Sequence, residues 1–131
     1  MKKTTLLHAE LSEAIARLGH GDLLVIADAG LPIPDGPRRI DLAVSANVPR
    51  LREVLAAVLA EMAVEGAVIA DELASANAPV HAELLRQLGA TPVATLSHEA
   101  FKAATRGARA VVRTGEFSPY ANVILRAGVV F

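Results

Sequence analysis

Four side chains able to do chemistry stand at positions bounded by glycine, proline or an apolar run. They are His20 within Gly19-His20-Gly21, Asp28 closing the run Asp22 to Asp28, and Tyr120 and Asn122 in the turn Pro119-Tyr120-Ala121-Asn122. Tyr and Asn together offer a ring face, a hydroxyl and an amide, a set that suits a small polyhydroxylated ligand. Their turn lies between Ala110-Val111-Val112 and Val123-Ile124-Leu125, which predicts a short loop held between two strands. Asp28 stands where open parallel sheets put their ligand groups, and it equally fits an Asx turn opening Ala29-Gly30. His20 reads either as a functional imidazole or as a helix-end histidine answering the helix dipole. His98 and Lys102 are four apart and share one side of a predicted helix, either above a site or as a solvated face.

Other chemistries lack their residues. Gly19-His20-Gly21 has no third glycine and precedes its strand, so it is not a dinucleotide fingerprint. After Asp28, Pro32 and Pro34 remove N–H donors that would cradle a phosphate, and there is no Gly-x-Ser-x-Gly elbow or Gly-Lys-Ser/Thr loop. Asp71-Glu72 has no third ligand at metal spacing and reads as a solvated helix start, while His8 and His81 lack companions and read as structural. Without Cys there is no thiolate metal site, and the composition fits the reducing cytoplasm; no metal is expected.

Thirteen basic and 14 acidic residues are dispersed along 131 positions, so no electrostatic footprint points to nucleic acid or an anionic membrane. His8, Glu10 and Glu13 interrupt any signal-peptide core, and Glu61, Glu65 and Gly66 break the richest apolar stretch short of the roughly 20 residues a membrane span needs. The chain is 53% hydrophobic but only 3% aromatic, so its core is expected to consist of Ala, Val, Leu and Ile. Abundant small apolar residues also suit contact between subunits.

The elements that must position these residues follow from periodicity. Leu11, Ile15 and Leu18 predict a helix stopped by Gly19. The continuous run Leu23 to Ala27 predicts a strand covered on both faces. Ala29 to Arg39, with three prolines, is a stiff loop; Ile40 to Val44 is a strand; a helix with Pro49 in its first turn then buries Leu51, Val54, Leu55, Val58, Leu59 and Met62. Ala67 to Ala70 is a strand, Pro79 to Leu88 a helix ended by Gly89, Pro92 to Leu96 a strand, and His98 to Thr105 a helix. Ala108 to Thr114 and Val123 to Phe131 close the chain as strands. The alternation predicts a single three-layer α/β domain spanning 1–131, with a mostly parallel central sheet and helices on both faces.

Several strings occur together: Arg17-Leu18-Gly19-His20-Gly21-Asp22, Asp28-Ala29-Gly30-Leu31-Pro32-Ile33-Pro34, Ser97-His98-Glu99, and Arg113-Thr114-Gly115-Glu116 running into Ser118-Pro119-Tyr120-Ala121-Asn122. In this combination and order, over essentially the whole length, the chain resembles the ribose and fucose mutarotase family. The resemblance implies a cofactor-free isomerase that interconverts pyranose and furanose forms of D-ribose, assembled as a decamer of two pentameric rings. It implies His20 as proton donor, with Asp28, His98, Tyr120 and Asn122 binding the sugar and Lys102 as a weaker addition. Tyr120-Ala121-Asn122 is closer to the ribose branch, with L-fucose as the alternative sugar and a non-catalytic ribose-binding or transport-accessory module as the alternative function. If the run from Leu23 is extended at about 3.3 Å per residue, His20 and Asp28 stand roughly 20 Å apart. A pentose cannot bridge that gap, so the chain either folds back through Gly19 and Gly21 or, as the favoured arrangement, His20 serves a neighbour's Asp28.

Overall fold

Residues 1–131 are described by a computed structural model. His8 caps the first helix, α1 (Ala9–Ala16), with Nδ1 accepting the Leu11 N–H at 3.2 Å. That contact is the structural role of a histidine without catalytic companions. The helix ends earlier than expected. Arg17 stays right-handed and the Leu18 N–H donates to the Ile15 carbonyl, a tightened last turn that needs no glycine stop at Gly19. Gly21, at φ +83°, makes the left-handed turn instead and feeds β1 (Leu23–Ala27).

The proline-rich loop leads to β2 (Arg38–Asp41), which starts two residues before the predicted strand and stops where the Asp41 carboxylate accepts the Ala43 N–H. Helix α2 (Leu51–Leu59) buries Leu51, Val54, Leu55 and Val58 on one face. Pro49 lies before this helix, not in its first turn, because the preceding segment is pinned elsewhere: the Gly115 N–H donates to the Pro49 carbonyl. A Cβ at residue 115 would overlap the Val48 carbonyl oxygen, so only glycine allows this approach. Strand β3 (Val64–Ala70) is followed by a one-turn helix, α3 (Leu73–Ala76), which periodicity did not reveal. Helix α4 (Ala78–Leu88) ends at Gly89 as expected; β4 (Val93–Leu96), α5 (His98–Ala104), β5 (Ala110–Arg113) and β6 (Val123–Ala127) complete the chain. The last strand stops four residues before Phe131, since beyond the Gly128 N–H, held by the Ala63 carbonyl, no further pairing partner is present.

The sheet order is β2-β5-β1-β6-β3-β4. Every pairing is parallel except those of β6, which runs antiparallel between β1 and β3. The sheet is therefore mostly parallel, and the loop from β5 to β6 passes over the end of β1. Its two faces are unequal. One carries a cluster of 22 buried residues under α1, α2 and α4; the other carries seven, around Phe101 of α5 and Leu31. Alternation along β1 sends Leu24 and Ile26 into the large cluster and Val25 and Ala27 into the small one, which is why the run had to be apolar throughout. No helix is long and apolar enough to cross a membrane.

Candidate active site

At the C-terminal end of β1, Asp28 is fixed by reciprocal bonds with Asn122. The Asp28 N–H donates to Asn122 Oδ1 at 2.7 Å, and Asn122 Nδ2 donates to Asp28 Oδ2 at 2.9 Å. Both amide atoms are thereby assigned. The other Asp28 oxygen accepts the Gly30 N–H at 2.9 Å, which makes the Asx turn and leaves the carboxylate facing the cavity. Asn122 is fully buried and sits behind Asp28, not on the cavity wall. Within one chain it orients the carboxylate.

In front of Asp28 opens a cavity of about 470 Å³, whose wall includes His98, Tyr120, Arg113, Phe117 and Leu31. His98 opens α5, where Ser97 Oγ accepts the Ala100 N–H and the Glu72 carboxylate accepts the His98 N–H at 2.9 Å. Glu72 is thus a cap on the site helix and not merely a solvated acid. The His98 ring stands edge-on to Tyr120, 5.0 Å between centroids at 83°, and its Nδ1 is buried without a partner. Arg113 donates to the Ala29 carbonyl at 3.0 Å and to Asp41 at 3.1 Å. Lys102 is on the same helix as His98 but is not on the cavity wall; its ammonium pairs with Glu99 at 2.6 Å. A carboxylate, an imidazole, a phenol and a guanidinium around an open apolar rim can bind several hydroxyls of one small molecule.

His20 is at the other end. The Gly21 N–H donates to the Ala127 carbonyl and the Ala127 N–H to the Asp22 carbonyl, which locks the turn beside the far end of β6. The chain does not fold back toward Asp28. Nor does the ring answer α1: His20 Nε2 lies 2.8 Å from Glu65 Oε2 on β3, and Arg126 Nε donates to Glu65 Oε1 at 2.7 Å. The His20 hydrogen bond, with Arg126 adding to it, holds the Glu65 carboxyl below its usual range against the opposing effect of partial desolvation. A carboxylate on one ring nitrogen orients the imidazole and balances its charge when protonated.

The structure brings Asp28, His98, Tyr120 and Asn122, the set implied by the resemblance, to one end of the sheet; Arg113 and Glu65 are not in that set, and Glu72 reads from sequence as a solvated acid. Glu65 carried one signal, an acid inside an otherwise apolar strand. Its partner is 45 residues away and no local pattern joins them. No three His, Asp or Glu side chains converge as metal ligands.

Known proteins resemble this chain in sequence and fold. The sequence profile of the RbsD / FucU transport protein family matches residues 1–130. A D-ribose pyranase of Paracidovorax citrulli is 63% identical and one of Symbiobacterium thermophilum 57% identical, each alignment covering all of both chains. The structure of Bacillus subtilis RbsD complexed with D-ribose superposes with a TM-score of 0.97 at 46% identity, covering both chains fully. A fucose mutarotase of Streptococcus pneumoniae, in complex with L-fucose, superposes with a TM-score of 0.81 at 25% identity over 95% of this chain and 94% of that one. With one unbroken likeness in sequence and fold from end to end, this chain belongs to the RbsD / FucU transport protein family.

Proposed function

We propose that this protein is a D-ribose pyranase, an isomerase that opens the ribopyranose ring and lets it reclose as the furanose. The observation that carries this reading is the cavity at Asp28, His98 and Tyr120, in a fold that superposes on a ribose-complexed relative. Ring opening breaks the bond between the anomeric carbon and the ring oxygen. A proton goes to that oxygen, one leaves the anomeric hydroxyl, and the free aldehyde then closes on a different hydroxyl. The reaction is redox-neutral and its atoms balance without a cofactor. Imidazole suits the proton transfer, since its reference pKa of about 6.5 lies near neutrality.

In this reading His20 delivers the proton and Glu65 orients its ring. Asp28, His98 and Tyr120 hold the sugar hydroxyls, Asn122 aims Asp28, and Lys102 is the weakest member of the set. His20 and Asp28 occupy opposite ends of one five-residue strand, which favours His20 of one subunit completing the cavity of its neighbour. Such a contact is heterologous and closes into rings, in keeping with a decamer of two pentamers. The absence of Cys is in keeping with work in the cytoplasm.

The test is proton NMR of equilibrated ribose. Added protein should speed exchange between pyranose and furanose signals, and excess chelator should leave that acceleration intact. Ribose binding with unaccelerated exchange would instead establish the sugar-binding module that the transport description of the family suggests.

A further inference from the structure

We infer that Glu116, a buried carboxylate outside the proton transfers proposed above, is the positioning residue that aims Tyr120 into the sugar cavity; its catalytic importance rests on that reading. Tyr120 has φ +57°, a left-handed backbone that a residue bearing a Cβ seldom adopts unless its neighbours impose it. On the downstream side the constraint is Asn122, tied to Asp28. On the upstream side it is a short polar chain ending at Glu116, which is only 3% exposed.

The chain has one allowed direction. Asn77, itself buried, uses Nδ2 to donate to Ser118 Oγ and to the Pro119 carbonyl, both at 2.9 Å. An amide nitrogen only donates, so the Ser118 hydroxyl must accept there and send its own proton onward. That proton goes to Glu116 Oε1 at 2.7 Å. Glu116 Oε2 accepts the Leu51 N–H at the start of α2 at 3.0 Å, and an Arg50 nitrogen lies 3.7 Å from Oε1. Both oxygens face donors, and only a carboxylate satisfies both. An amide would oppose its NH2 to one of them and leave a donor without an acceptor in a buried place. Through this chain α2, α3–α4 and the loop before Tyr120 are joined at one carboxylate.

Tyr120 is the only Tyr and there is no Trp, so emission excited at wavelengths beyond phenylalanine absorption reports on this side chain alone. The experiment compares wild type with Glu116→Gln, Ser118→Ala, their combination, and Ser118→Thr, each checked for wild-type circular dichroism. Glu116→Gln and Ser118→Ala should each lower kcat/KM for ribose about 10- to 100-fold, the usual consequence of a misplacement near 1 Å. Acrylamide should quench Tyr120 more strongly in both. The double variant should resemble either single one, because the two residues act as one chain. Ser118→Thr, which keeps the hydroxyl, should preserve activity and quenching. Wild-type emission and quenching in a folded Ser118→Ala or Glu116→Gln protein would overturn the inference, as would losses that multiply in the double variant. If Glu116→Gln does not fold, Ser118→Ala against Ser118→Thr decides alone. Failure of the wild type to speed ribose exchange would sink the isomerase reading, while Tyr120 quenching would still judge the clamp.

Discussion

Where β1 ends, three hydrogen bonds fix Asp28, two of them to its carboxylate, with a fully buried amide behind it. Just before β1 begins, the His20 side chain is 59% exposed and held by Glu65, which itself pairs with Arg126, neither of them buried. The first is a carboxylate whose geometry is determined by packing within one chain. The second is a group presented outward, oriented but not enclosed. A buried hydrogen-bond network tolerates little displacement, whereas an exposed ion pair costs little to rearrange. On the proposed reading, the contrast gives rigidity to the end that would hold the sugar and adaptability to the group that would meet a neighbouring subunit.

The strongest way to break this contrast is to separate the two ends genetically. His20→Ala and Asp28→Ala proteins should each be inactive, and dissociating and reassembling them together should return about a quarter of wild-type activity, the fraction of sites with both native residues under random mixing. Confirmed mixed assemblies as inactive as their parents would mean that each site draws both residues from one chain.

Removing the amide tests the rigid end. Asn122→Ala leaves the partly buried Asp28 N–H without its acceptor, and should cost about 1–3 kcal/mol of stability by denaturant titration as well as most of the activity. A variant of wild-type stability would show that the receptor is not built by this pair.

The adaptable end should respond the other way, with activity falling and melting temperature unmoved. Glu65→Gln should lower kcat about tenfold, a small part of the 10²–10⁴ that a positioned acid supplies. The sign of the pH effect follows from the direction of the Glu65 shift. Its carboxyl is held below its ordinary value in the folded protein, so the stabilising contact is present above the unfolded value and lost only as pH falls through the lowered one. Fluorescence-detected melting from pH 7 to 5 should therefore show no loss attributable to Glu65. A loss of wild-type stability relative to Glu65→Gln as pH falls within that window would contradict the assignment.

The smallest effect belongs to Lys102. Its ammonium pairs with exposed Glu99, away from the cavity wall of its own chain, and such pairs contribute little. Lys102→Ala should change the ribose KM by less than about threefold, the scale of a weak exposed contact. A larger rise would mean that the side chain reaches the sugar, and would give the adaptable half a second member.

The residues show why part of this was legible in advance. The run Leu23 to Ala27 reads as a doubly covered strand because every position lacks a polar group, and α2 reads as a helix because its apolar residues recur at 3.6-residue spacing. Asp28 could be placed at a strand's carboxyl end and His98 at a helix start from local pattern, whereas their grouping with Tyr120 and Asn122 came from the resemblance to the mutarotase family. Element limits were less legible: the end of α1 depended on a tightened turn, the start of α2 on pinning by Gly115, and the stop of β2 on the Asp41 side chain.

By itself the sequence determined the apolar core, the alternation of strands and helices, and which short motifs carry ionisable groups, since these depend on residue type and local spacing. Tertiary structure alone decided that β6 inserts antiparallel between β1 and β3, that Glu65 meets His20 and Asn122 meets Asp28, and that the turn at Gly21 is locked beside β6 and does not fold back toward Asp28. Those contacts join residues 45 and 94 positions apart. Their partners are selected by sheet order and by the need of each buried polar group for one complementary atom, and neither leaves a periodic trace in the chain.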